Sequence, residues 1–171
     1  KYHLRVNEDR KFHELNQVNF SKSIPATKID SKLKGLKWIT PPFKDNIEEE
    51  INFIKDLKSQ IQTDKRKKMV ITHYSFISSI LDENFFSPSM AYTSDGSIIP
   101  LKNNKYSQKY KNLVINLIKK NNVDVIYIVY PVHKGSIADY LDKSCLKEKL
   151  ILKGVISYEI KRCKDLIGKN N

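Results

Sequence analysis

The run Val125-Ile126-Tyr127-Ile128-Val129-Tyr130 constrains the fold of this chain more than any other segment. It is apolar throughout, with no polar face to give to water. A strand of this kind has to be covered on both sides, as strands inside parallel sheets are. Met69-Val70-Ile71-Thr72 reads as a second buried strand, and a third is expected over about 155–160.

Helical patterns lie between these strands. From Asp45 to about Thr63, Ile47, Ile51, Ile54, Leu57 and Ile61 recur at threes and fours and make one apolar stripe. Asp45 and Glu48 have capping-box spacing, and Glu48, Glu49 and Glu50 suit the positive end of the helix dipole. A shorter pattern runs through Phe76, Ile77, Ile80 and Leu81. A second long one spans Asn104 to Lys120, with Tyr106, Tyr110, Leu113, Val114, Leu117 and Ile118 on one face. Short helices are expected near 7–15 and 136–141. Leu36 to Thr40 is a short extended run stopped by Pro41-Pro42.

Strands alternating with helices imply an α/β fold: three layers, a mostly parallel sheet with helices on both faces, Rossmann-like but without a dinucleotide motif. The 171 residues suit a single domain, with residues 1–35 as a polar N-terminal extension packed on it. No apolar run exceeds the eight residues of Val125 to Val132, far short of the ~20 that span a bilayer. The chain opens at Lys1 within a polar stretch, which reads as a piece excised from a longer protein.

The formal charge is +12, yet 27 of the 31 cations are Lys. Nucleic-acid recognition favours Arg forks, and the densest run, Lys65-Arg66-Lys67-Lys68, has no interleaved aromatics. A Lys-rich nucleic-acid-binding module therefore ranks last among the functional readings; a solvated face fits better, and a face lying against anionic lipid headgroups is a weaker reading of the charge. Cys145 and Cys163 are two separate thiols in a reducing compartment. In an oxidising one they are candidates for a disulfide closing a loop of about eighteen residues.

Ligands of open α/β sheets bind beyond the carboxyl ends of strands. Two such ends are polar here: Thr72-His73-Tyr74-Ser75 and Pro131-Val132-His133-Lys134-Gly135. If their strands are neighbours, His73 and His133 face one crevice, under the long connection of residues 83–103. The candidate ligand-binding residues are Thr72, His73, Tyr74, Asp95, Tyr130, His133 and Lys134. A Ser75/His133/Asp95 triad is not supported, because Ser75 lacks the glycines of a nucleophile elbow. No catalytic residue is assigned, no metal is expected, and the absence of phosphate-cradling glycine motifs leaves no cofactor expected.

Several segments together resemble a known kind of protein. They are Lys1 to Leu15, Leu36-Lys37-Trp38-Ile39-Thr40-Pro41, Ile71-Thr72-His73-Tyr74-Ser75-Phe76, Ser87-Pro88-Ser89, Ile126-Tyr127-Ile128 and the Cys145/Cys163 pair. They resemble the soluble C-terminal extracytoplasmic domain of bacterial polytopic membrane glycosyltransferases of the dolichyl-phosphate-mannose:protein mannosyltransferase kind. The resemblance implies a periplasmic-side domain tethered to the inner membrane, with the membrane-embedded part of its own parent chain as partner and a glycan or other acceptor as a further one. It places the catalytic acid of such an enzyme outside this chain. The domain would then be accessory, helping to bind or position an acceptor. The alternatives are a free-standing small α/β enzyme acting on a sugar or phosphorylated substrate, and a purely structural role.

Overall fold

The computed structural model describes residues 22–39, 47–89, 99–100, 103–130, 132, 137 and 140–161. The chain forms two compact units, Lys1–Asp56 and Leu57–Asn171.

In the first unit, β1 (Ile24–Pro25) pairs antiparallel with β2 (Lys37–Trp38). Two 3-10 turns connect them, and the Asp30 carboxylate caps the second by accepting the Lys32 N–H at 2.9 Å. Gly35, at φ +88°, supplies the left-handed residue that returns the chain to β2. Helix α1 (Ile47–Thr63) begins here, and its first turn is tied down by polar contacts. The Trp38 indole donates to Glu50 at 3.0 Å and Lys28 pairs with Glu48 at 2.8 Å. The apolar stripe of α1, Ile51, Ile54, Leu57 and Ile61, is fully buried. The expected cap Asp45 and the expected helix at 7–15 lie outside the described residues.

The second unit holds β3 (Lys68–Ile71), α2 (Ile77–Leu81), α3 (Ser107–Asn121), β4 (Val125–Val129), β5 (Leu146–Leu152) and β6 (Val155–Ile160). Its sheet runs β3-β4-β6-β5. β3 and β4 are parallel; β4–β6 and β6–β5 are antiparallel. On one face Met69, Ile71, Ile126, Ile128 and Tyr158 join Val114, Ile115 and Ile118 of α3 in the main core. The other face is buried too, through Val70, Val125, Tyr127, Val129, Val155 and Ser157. Asn122, at φ 50°, ends α3 with its N–H on the Ile118 and Lys119 carbonyls, the usual left-handed stop.

This architecture corrects the expected three-layer, mostly parallel sheet. The described residues form a two-stranded antiparallel sheet and a four-stranded mixed one with a single parallel pair. The apolar run of β4 demands cover on both faces, which it has, but carries no information on the direction of its neighbours. β5 has no recognisable alternation, since Lys147, Glu148, Lys149 and Leu150 are all exposed. Charges of this kind suit an edge strand, where they discourage pairing with other chains. The turn at Lys153-Gly154, with Gly154 at φ +86°, folds β5 back on β6 and makes that end antiparallel. Of the short helix expected at 136–141, only Ile137, Tyr140 and Leu141 are described, and all three are buried.

Candidate functional site

β3 is the edge of its sheet, and the chain turns sharply where it ends. The Thr72 hydroxyl, buried, accepts the Tyr74 N–H at 3.0 Å. The Ser75 N–H donates to the His73 carbonyl at 2.9 Å and the Ile77 N–H to the Tyr74 carbonyl at 3.1 Å, which starts α2. The His73 and Tyr74 rings lie 3.7 Å apart, tilted by 41°. After α2, Asp82 takes a left-handed conformation (φ 52°) and sends the chain back alongside β3. There the Ser87 hydroxyl donates to the Val70 carbonyl at 2.5 Å, and Glu83 pairs with Lys68, which is buried. The first contact gives the β3 backbone a partner on its open side, and the second anchors the returning segment to the start of the strand.

Between these segments lies a cleft of about 430 Å³. Val70, Thr72 and Tyr74 form its sheet side, and the hydroxyls of Ser75, Ser78 and Ser79 line it from the α2 side. Asp82, Glu83, Asn84, Phe85 and Phe86 form the returning wall, ending in Ser87 and Ser89. The volume falls within the ~300–1,000 Å³ of small-molecule sites. The lining is mostly apolar, from Val70, Tyr74, Phe85 and Phe86, with hydroxyl, amide and carboxylate side chains set among them. Among the described residues no group of His, Cys, Asp and Glu could hold a metal ion.

Of the residues singled out from sequence, Thr72 and Tyr74 line this cleft, and His73 sits between them in the same turn. The strands before His73 and His133 are neighbours, as the crevice reading required. Asp95, His133 and Lys134 lie outside the described residues. Tyr130 is exposed at the end of β4, its N–H on the Gly154 carbonyl at 2.7 Å, and does not line the cleft. Cys145 is buried and disulfide-bonded; Cys163 lies outside the described residues. Residues 83–89 of the wall belong to the long connection expected over the crevice, whereas Ser78, Ser79 and Asp82 are not among the residues singled out from sequence. The wall's trace in the sequence is the recurrence of serine at 75, 78, 79, 87 and 89.

A second polar cluster, toward the amino-terminal end of β3, was also not anticipated. Asp64 accepts from Arg66 Nε at 2.9 Å, from Arg66 Nη2 at 2.7 Å and from the Tyr127 hydroxyl at 2.5 Å. Burial opposes ionisation of Asp64, but these hydrogen bonds outweigh it and hold the carboxyl well below the usual carboxylate range. Burial, then the bond to Asp64, pushes the Tyr127 phenol up to about 12. Each member is engaged by the others, so the cluster braces the sheet and offers little to a ligand.

No protein-family model matches the chain, and neither a curated protein nor a solved structure matches it. Among the described residues no helix is long and apolar enough to cross a membrane.

Proposed function

We propose that the chain is an extracytoplasmic accessory domain of a membrane glycosyltransferase-like protein, and that the cleft beside β3 receives a glycan-like acceptor. One observation carries this reading. Two separated segments of the resemblance, residues 71–76 and 87–89, meet at one cleft: Thr72, Tyr74 and Ser75 from the first, Ser87 and Ser89 from the second. Hydroxyls, an amide and carboxylates beside aromatic rings suit a neutral polyhydroxylated ligand, which offers donors, acceptors and apolar C–H faces together.

The test is binding of neutral oligosaccharides to the chain, followed by ligand-observed NMR, with Asp82→Asn and Asn84→Ala as variants. Both positions are exposed and asparagine tolerates the left-handed backbone of Asp82. Asn84→Ala also removes the acceptor of the Phe86 N–H at 3.0 Å, so Asp82→Asn is the cleaner variant and the thermal midpoint of each is measured alongside. Loss of saccharide contacts at an unchanged thermal midpoint supports the reading. No binding, or binding indifferent to both variants, sinks it. Turnover of a sugar or phosphorylated substrate by the chain alone would replace it with a free-standing enzyme.

A further inference from the structure

The far end of the four-stranded sheet is strongly basic. Lys68 is level with Val125, Val125 with Glu159, and Ile160 with Leu146, so residues just outside these positions share one end. Backbone bonds tie that end together: Asp124 N–H to the Lys67 carbonyl at 2.8 Å, and Lys161 N–H to the Cys145 carbonyl at 2.8 Å. Lys65, Lys67, Lys147 and Lys161 gather there. Lys119 and Lys120 join them in the last turn of α3, which enters β4 through residues 122–124. All are exposed, and none forms an ion pair among the described residues.

The carboxylates of this end are fewer than its lysines, and Glu159 is level with Lys147. Asp64 is held by Arg66 and Tyr127, and Asp124 accepts the Lys67 N–H at 3.2 Å. Glu159 lies 3.8 Å from Arg66, and Asp142 accepts from Ser144 at 2.8 Å. With Arg66 committed to Asp64, the six lysines face the three carboxylates of Asp124, Asp142 and Glu159, which leaves a net positive end. The Lys65 ammonium also donates to the Gln62 carbonyl at 3.0 Å. Lysines act as point charges and need no directional fit, so such an end suits a diffuse anionic surface better than bases or a structured phosphate.

We infer that this end of the sheet docks on an anionic phospholipid bilayer surface. The inference does not depend on the cleft. Thr72, Tyr74 and Ser75 follow the opposite end of β3, so docking leaves them on the side away from lipid.

Co-sedimentation of the chain with vesicles tests it, comparing phosphatidylcholine alone with phosphatidylcholine–phosphatidylglycerol mixtures. Binding is expected to the anionic vesicles only and to weaken with salt. Each basic side chain near such a surface contributes about fivefold in affinity, so the triple variant Lys67→Gln, Lys119→Gln, Lys120→Gln should lose on the order of 100-fold. A control with the same charge change, Lys105→Gln, Lys109→Gln, Lys153→Gln, alters exposed lysines at the start of α3 and in the β5–β6 turn. It should lose less than about fivefold. Equal losses in the two variants, or equal binding to neutral vesicles, overturns the assignment. So does duplex DNA bound more tightly than the vesicles at the same salt and lost in the first variant, which would assign this end to nucleic acid.

Discussion

The Asp64–Arg66–Tyr127 cluster sets the sharpest expectation for stability, because two of its members are withdrawn from water. Tyr127 is 3% exposed and the Asp64 side chain 11%, while that of Arg66 is 42% exposed. The phenol–carboxylate bond therefore matters more than the ion pair, whose exposed partner is screened. Tyr127→Phe removes a hydrogen bond to a charged group and should cost about 1.5–3 kcal/mol. Asp64→Ala leaves the phenol without that acceptor, at about 1–3 kcal/mol for a buried unsatisfied hydroxyl. Because both remove the same bond, the double variant should cost less than the sum by about 1.5 kcal/mol. Urea unfolding followed by circular dichroism measures all four proteins. The pH dependence follows from the direction of each shift. Asp64 is depressed in the fold, so its contribution is complete above the unfolded value of about 4 and is lost as pH falls below it. Tyr127 is raised to about 12, so its contribution is complete below the unfolded value of about 10 and is lost as pH rises toward 12. Additivity of the two substitutions within about 0.5 kcal/mol, or an Asp64→Ala cost no smaller at about pH 3 than at neutral pH, would refute the reasoning.

Three further outcomes follow from burial and backbone geometry. Glu83→Ala strands the buried Lys68 ammonium and should cost about 3 kcal/mol in urea unfolding, the low end for a broken buried pair because Glu83 is itself a third exposed. Ile126→Ala opens a cavity in the main core at a residue 1% exposed, for a loss of about 2–5 kcal/mol and a matching drop in thermal midpoint. Gly154→Ala forces a side chain into φ +86° at the β5–β6 turn and should cost about 1 kcal/mol, with faster amide exchange along β5 if the turn sets the hairpin.

Elements whose burial repeats with a helical or continuous period were legible in the sequence. The stripe of α1 from Ile51 to Ile61 and the run of β4 each announce how much cover they need, and each is buried as the pattern requires. Strand direction is another matter. Nothing in Val125–Val129 distinguishes a parallel from an antiparallel neighbour, since both leave the same side chains inside. The sense of the sheet turns on β5, whose Lys147-Glu148-Lys149 carries no pattern because an edge strand is wetted on more than one side. Its turn, Lys153-Gly154, lacks the Asn-Gly or Asp-Gly pair that announces a hairpin. A charged edge strand and an inconspicuous turn together hide an antiparallel half-sheet.

The candidate site divides along a similar line. A polar segment directly after a buried strand is a local signal, so Thr72, His73 and Tyr74 could be named from sequence. The opposite wall depends on Asp82, where a left-handed residue reverses the chain and lays residues 83–89 against β3. That reversal brings Ser87 to Val70, seventeen positions away, through a bond made by a hydroxyl that any serine could offer. The Asp64–Tyr127 bond is more remote still, at 63 positions. In both cases the contact exists because an edge strand or a buried phenol had a polar group to satisfy. What draws the second partner is a demand raised by the fold itself, which is why residue type and spacing alone do not reveal it. The same logic applies to Ser87: the hydroxyl that meets the Val70 carbonyl covers the edge of β3 and at the same time supplies polar lining to the cleft beside it.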